Sequence, residues 1–275
     1  MTLAEALRGA ASRLREAAIE DPELEAEVLL RHALGISREA LFARLQDTLA
    51  EPPQATFEAL IERRLAHEPA AYITGHGEFF DLDLACTPAA LIPRPETELL
   101  VELALAWVKA QGSGAKEPWV VDVGTGNGAI AVALAVHARE AHVVAVDASR
   151  PALLLAQQNA AAHAVAERIA FVQGSLLSPC RGQFDVIVAN LPYVPTDEYR
   201  ALEPEIREHE PEGALHAGER GTAVIEALLE QAPAHLRPGG LLLAEHGWDQ
   251  GERLREAATA AFPGAKVETR HDLAG

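Results

Sequence analysis

Eight residues, Val121-Asp122-Val123-Gly124-Thr125-Gly126-Asn127-Gly128, constrain the fold of this chain more than any other segment. An apolar run at 119–123 leads into them, and an apolar helical pattern starts at Ala129. Glycines at alternate positions allow a tight strand-to-helix turn and let a ligand come close to the backbone. A second apolar run, 143–146, ends in Asp147, which follows Gly128 by 19 residues. That spacing suits a carboxylate that grips two ribose hydroxyls from the end of a neighbouring strand. No Lys-Ser or Lys-Thr follows the glycines, so the turn is not a phosphate-binding P-loop. Turn and acid together point to a nucleoside cofactor. A dinucleotide stays open at this step, although the spacing is Gly-x-Gly-x-Gly and not Gly-x-Gly-x-x-Gly.

Strand-like and helical segments alternate from there on. Strands are predicted at 169–172, 184–189, 241–244 and 267–270, with helices at 151–162, 222–236 and 248–261. This alternation implies an α/β fold, a mainly parallel sheet with helices on both faces. Residues 1–73 show no strand alternation. Leu3, Leu7, Ala10 and Leu14 recur at helical spacing, as do Phe57, Leu60, Ile61 and Leu65. A run with Leu24, Val28, Leu29 and Leu34 lies between them, Ser37 reads as a helix start, and Pro52-Pro53 reads as a break in the pattern. Phe79, Phe80, Leu82 and Leu84 indicate a short hairpin, followed by an extended connector through Pro93-Arg94-Pro95. The expected organisation is a small all-α domain over 1–73, a hairpin and linker over 74–93, and a cofactor-binding catalytic domain over 94–275.

The strand at 184–189 ends in Asn190-Leu191-Pro192-Tyr193. In an open α/β sheet such a position faces the ligand crevice. The residue types fit methylation of a planar nitrogen. The lone pair of an amide or aromatic amine is delocalised, so acceptors must hold both N–H groups and leave the lone pair facing the methyl group. The Asn190 oxygen can accept one N–H. The Leu191 carbonyl can accept the other, because Pro192 keeps Leu191 extended. The Tyr193 ring can stack on the amide plane.

The Gly-x-Gly-x-Gly turn resembles the first motif of class I methyltransferases, a Rossmann-like family that binds S-adenosylmethionine. Asn190 to Tyr193 resembles the Asn-Pro-Pro-Tyr signature of enzymes that methylate planar amino groups. Further strings narrow the resemblance: Ala71-Tyr72-Ile73-x-Gly75, Glu78-Phe79, and Leu91-Ile92-Pro93-Arg94-Pro95-Glu96-Thr97-Glu98. Glu210-Pro211, Ala214-Leu215, Gly218, Gly221, residues 236–240, Glu245-x-Gly247 and Gln250 continue it. These are similar to the peptide-chain release factor glutamine methyltransferases of the HemK/PrmC family. The resemblance implies methylation of the glutamine side-chain amide in the Gly-Gly-Gln loop of class I release factors, with S-adenosylhomocysteine as coproduct. It places the cofactor at Gly124, Thr125, Gly126, Asn127, Gly128, Asp147, Ser175, Leu176 and Asn190. It places the glutamine at Asn190, Leu191, Pro192 and Tyr193, with Asn190, Pro192 and Tyr193 as the catalytic group and no metal. The helical N-terminal domain would dock the release factor.

Three departures from the family pattern stand out. Leu191 replaces the first proline of the signature, which keeps the carbonyl; Asn-Leu-Pro-Tyr also resembles the ribosomal RNA adenine dimethyltransferases. Gly174-Ser175-Leu176 replaces an acid-containing turn, so Ser175 is expected to hold the adenine amino group less firmly than an Asp, while Leu176 packs on the adenine face. Family members continue into a seventh strand, whereas the sequence stops at Asp272-Leu273-Ala274-Gly275.

A formal charge of −18 opposes binding to bare nucleic acid and fits a basic protein partner. It weighs against the alternative of an adenine-N6 methyltransferase on RNA or DNA. A ribosomal-protein glutamine methyltransferase is a second alternative, and a non-enzymatic cofactor-binding module a third. Glu203, Glu205, Glu208, Glu210 and Glu212 read as a solvated acidic face, and the 11 histidines as surface or core residues. Two distant cysteines, no signal-peptide pattern and no membrane-length apolar run lead to the expectation of a cytoplasmic protein without membrane contact, acting as a monomer.

Overall fold

The computed structural model describes residues 1–110 and 117–271. Contacts divide the chain into two compact units, one formed by Met1–His76 with Glu203–His209 and one by the remaining described residues.

The first unit is helical, with α1 (Leu3–Glu16), α2 (Pro22–Leu34), α3 (Arg38–Ala43), α4 (Glu51–Leu65) and α5 (Ala70–Thr74). Thr2 caps α1 in a reciprocal box with Glu5, and Ser37 accepts from Ala40 N at the start of α3. Leu3, Leu14, Leu29, Leu30, Leu41, Phe57 and Ile61 are buried together. Pro52 and Pro53 do not break the helical pattern as expected. They lie within the first turn of α4, where a missing N–H costs nothing because those donors have no partner inside the helix. The buried Arg64 donates to Glu25 at 2.8 Å and to Glu205 at 2.6 Å, so the later segment Glu203–His209 belongs to this unit.

The second unit, from Gly77 on, holds a hairpin, β1 (His76–Phe79, its first residue counted with the first unit) and β2 (Leu82–Ala85), then α6 (Glu98–Ala110), β3 (Trp119–Val123), α7 (Ala129–His137), β4 (His142–Asp147), α8 (Arg150–Ala162), β5 (Ile169–Gln173) and β6 (Phe184–Ala189). Short helices α9 (Thr196–Ala201) and α10 (Pro204–His209) follow, the latter counted with the first unit. Then come α11 (Ala223–His235), β7 (Leu236–Ala244) and α12 (Gly251–Ala261). Five parallel strands run in the order β5-β4-β3-β6-β7. Near-continuous Val, Ile and Ala in β3, β4 and β6 match strands covered on both faces. One face is packed by Leu105, Ile130, Leu134 and neighbours, the other by Ile225, Leu228, Leu229 and Leu254.

Two sequence expectations are corrected here. Residues 267–270 form no strand, since they pair with nothing in the sheet; two charged side chains, Lys266 and Glu268, pair with each other instead. The last strand starts at Leu236 rather than 241. Leu236 pairs with Phe184, and an irregularity between Phe184 and Val186 absorbs the Arg-Pro-Gly-Gly stretch before Leu241 pairs with Val186. Residues 272–275 lie outside the described residues.

Strand order locates the crevice. The chain moves outward from β3 through β4 to β5, then returns to the other side of β3 as β6. Ligands bind at the carboxyl ends of strands where the order reverses in this way. Val123 pairs with Ala189 and with Val146, so Gly124, Asn190 and Asp147 emerge side by side.

Candidate active site

A cleft of about 840 Å³ opens at that reversal. Gly124, Thr125, Gly126, Asn127, Asp147, Ser175, Leu176, Asn190, Leu191 and Pro192 all line it. Two residues expected at the site, Gly128 and Tyr193, are not part of the lining.

The glycine turn is held from below. Asp122, fully buried on β3, accepts from Thr125 Oγ1 at 2.6 Å and from Ala131 N at 3.1 Å, tying the turn to α7. Burial raises its carboxyl to about 7, against the pull of those hydrogen bonds and with a smaller push from Asp147. Its other oxygen, Oδ1, has no partner among the described residues. Asp147 accepts from Gly126 N at 2.8 Å and from Ser149 N at 2.7 Å, which fixes its carboxylate against the turn. Gly124 and Gly128 have positive φ for different packing reasons. A Cβ at Gly124 would lie 2.8 Å from Leu191 Cδ2, so this glycine lets the Asn190-Leu191 loop approach the turn. A Cβ at Gly128 would lie 2.9 Å from Ala156 Cβ, so this one lets α7 pack on α8. Asn127 accepts from Ala129 N through its side chain, and its carbonyl accepts from Asn159 on α8.

Ser175 and Leu176 close the far end. Leu176 has φ +51, a conformation rare for a leucine, and Ser175 O accepts from Ser178.

The other wall draws on distant segments. Asn190 Nδ2 donates to Thr97 Oγ1 at 2.8 Å, which turns the side-chain oxygen the opposite way. Thr97 donates to Glu245 Oε2 at 2.7 Å, and Tyr193 OH donates to Glu245 Oε1 at 3.1 Å. The Tyr193 ring is half-buried in the apolar cluster under β6 and β7. Burial, then the nearby Glu245 charge, push its phenol well above the ordinary range. Gln250, buried, donates to Tyr193 O at 2.7 Å and accepts from Gly247 N at 3.0 Å. Glu210 is also buried. It accepts from Ile92 N at 3.1 Å and from Arg94, and so fastens the connector whose residues 91–94 line the cleft.

Glu205 and Glu210 therefore do not belong to a solvated face as expected; each neutralises an arginine, Arg64 and Arg94. His216, read as merely structural, lines the cleft and contacts Thr196 Oγ1 and Glu212. Thr97, Glu245 and Arg94 have no assigned role in the sequence reading, although each stands inside a quoted string. The available signal was that those strings lie far from the cofactor turn and yet are as distinctive as it is.

The chain matches two family models, the PrmC N-terminal domain over residues 5–75 and the methyltransferase small domain over residues 100–205. A release factor glutamine methyltransferase of Moorella thermoacetica is 42% identical over 100% of this chain and 96% of its own length. Enzymes with the same name from Deinococcus radiodurans and Bradyrhizobium diazoefficiens are each 40% identical, covering 100% and 98% of this chain and 96% and 91% of theirs. Among the described residues no helix is long and apolar enough to cross a membrane.

Proposed function

As the chain belongs to the family of release factor glutamine methyltransferases, we propose that it methylates the side-chain amide nitrogen of the glutamine in the Gly-Gly-Gln loop of class I release factors. The observation that carries this reading is a single cleft shared by the glycine turn, Asp147 and Asn190-Leu191-Pro192.

The residues fit S-adenosylmethionine. The turn has no side chains at Gly124 and Gly126, Asp147 stands at the end of β4, and Leu176 offers an apolar surface beyond it. In this reading Asp147 grips the ribose hydroxyls, the turn at 124–127 holds the amino acid portion, and Ser175 and Leu176 meet the adenine. The cofactor supplies an electrophilic methyl group on a sulfonium.

The protein's own work lies in holding the acceptor. Asn190 Oδ1 and the Leu191 carbonyl accept the two N–H groups of the glutamine amide, which aims the nitrogen lone pair at the donor. Pro192 keeps Leu191 extended and forms part of the wall. Tyr193, outside the cleft lining and with its hydroxyl on Glu245, supports the loop from its far end. The amide gains one methyl group and releases one proton. The helical N-terminal unit serves to dock the release factor.

Transfer of labelled methyl from S-adenosylmethionine to a purified class I release factor tests this function. Label on the intact Gly-Gly-Gln loop that disappears with a Gln→Ala loop is the expected result. Label on a ribosomal protein or on RNA, with none on the release factor, would overturn the substrate.

A further inference from the structure

We propose that Thr97 and Glu245 are positioning residues that decide which way the Asn190 side-chain amide points. This rests on the reading above, in which the Asn190 oxygen accepts from the glutamine amide.

An asparagine amide is nearly symmetric in shape and can offer a neighbour either its oxygen or its NH₂. Only one choice serves here. The substrate amide brings N–H donors, so an NH₂ turned toward it would oppose two donors and hold neither. A hydroxyl beside Asn190 does not by itself settle the choice, because a hydroxyl can both donate and accept.

The second hydrogen bond settles it. Thr97 has one hydroxyl proton, and Glu245 Oε2 lies 2.7 Å from its oxygen. A carboxylate only accepts, so that proton is committed to Glu245. The Thr97 oxygen is then limited to accepting, and Asn190 Nδ2 meets it at 2.8 Å. Polarity thus runs one way, from Asn190 through Thr97 to Glu245, and the Asn190 oxygen is left for the substrate. Thr97 is 4% exposed, so water does not compete for either bond.

The carboxylate is itself placed by backbone and side chain. Glu245 N donates to Ala189 O at 3.0 Å, which keeps the end of β7 beside the residue preceding Asn190. Its second oxygen accepts from Tyr193 OH, so one carboxylate braces both ends of the Asn-Leu-Pro-Tyr loop. The loop follows β6, Glu245 follows β7, and Thr97 precedes α6. Three separate segments meet to orient one amide.

The test is steady-state methyl transfer to the release factor by Thr97→Val, Thr97→Ser, Glu245→Gln and Asn190→Ala enzymes, with S-adenosylmethionine affinity measured for each by calorimetry. Thr97→Val keeps the shape and removes the hydroxyl. It is expected to lower kcat about 10- to 100-fold, with the cofactor Kd and the release factor KM within about threefold of wild type. Thr97→Ser restores the hydroxyl and should bring kcat back to within about threefold of wild type. Glu245→Gln introduces a donor that can reverse the chain, and should fall alongside Thr97→Val. Full kcat in Thr97→Val and Glu245→Gln, with activity lost in Asn190→Ala, would overturn the proposal while leaving the acceptor reading intact. So would losses of Kd, KM and kcat together with a lowered melting temperature, since that pattern marks a general structural role. Full activity in Asn190→Ala would instead sink the acceptor reading beneath it.

Discussion

At the end of β3 the cleft is shaped mostly by main chain: Gly124 and Gly126 present bare backbone, and the Gly126 amide proton fixes Asp147. At the end of β6 it is shaped by side chains: Thr97, from a segment distant in sequence, lines it beside Asn190, and Glu245 stands behind Thr97. In the proposed function the difference follows from what each wall would hold. Backbone at a strand end can approach a large cofactor closely and needs only local sequence to form. An amide nitrogen must be held by acceptors of fixed polarity, and fixing polarity takes a chain of partners.

The comparison breaks first if the main-chain wall depends on a charge. Asp122 lies beneath that wall with its carboxyl raised from 3.8 to about 7 by burial. Below pH 3.8 folded and unfolded chains both hold the proton, and the contribution to stability is fully present. As pH rises toward about 7 the unfolded chain ionises first, so stability is lost across this window by up to about 4 kcal/mol. Asp122→Asn should remove that loss, so its melting temperature should gain on wild type between pH 4 and pH 8. Parallel curves would show that the acid does not sense its burial.

Gly221 tests the opposite wall, where a glycine is also required. A Cβ there would lie 2.2 Å from Tyr193 O and 2.4 Å from Gln250 Nε2, at φ +71. Gly221→Ala should destabilise the protein by about 3 kcal/mol, read from denaturant unfolding, because backbone and left-handed strain act together. Gly128→Ala should cost about 2 kcal/mol, since its Cβ, at the left-handed N-cap of α7, would meet Ala156 Cα on α8 at 3.1 Å. A loss in Gly128→Ala larger than in Gly221→Ala would contradict the ranking by closeness of approach.

The smallest effect sharpens the cofactor end. Ser175→Asp places a stronger acceptor where Ser175 lines the cleft, and should tighten S-adenosylmethionine binding about fivefold by calorimetry. Unchanged affinity would mean that the adenine amino group does not reach this residue.

The placement of the glycine turn and Asp147 at one crevice was legible in the sequence because it is local. Gly124, Gly126 and Asp147 follow apolar runs that declare their strands, and strand ends declare where ligands bind. Asn190 was legible for the same reason. Tyr193 was read as a stacking ring because aromatic residues do stack, but its hydroxyl and Glu245 turn it into a support, a contact set across 52 residues. Gly128 was read with the cofactor because it shares the motif, while its neighbour is Ala156 on α8. Pro52 and Pro53 misled because proline breaks helices only away from their first turn. The 267–270 strand, Val-Glu-Thr-Arg, was read as one more step in the alternation of strands and helices, with no partner strand named for it. For Tyr193 and Gly128 the missing information was a partner distant along the chain; for Pro52 and Pro53 it was where the helix begins.

The two walls are separated most directly by comparing Asp147→Ala with Asn190→Ala, measuring the S-adenosylmethionine Kd by calorimetry and the single-turnover rate of methyl transfer at saturating cofactor. Asp147→Ala should weaken Kd at least about tenfold and leave the saturated rate within about threefold, whereas Asn190→Ala should leave Kd within about threefold and lower the rate at least about 100-fold. If both variants move the same quantity, or Asn190→Ala transfers methyl at the wild-type rate, the division of labour between backbone-built and side-chain-built walls is wrong.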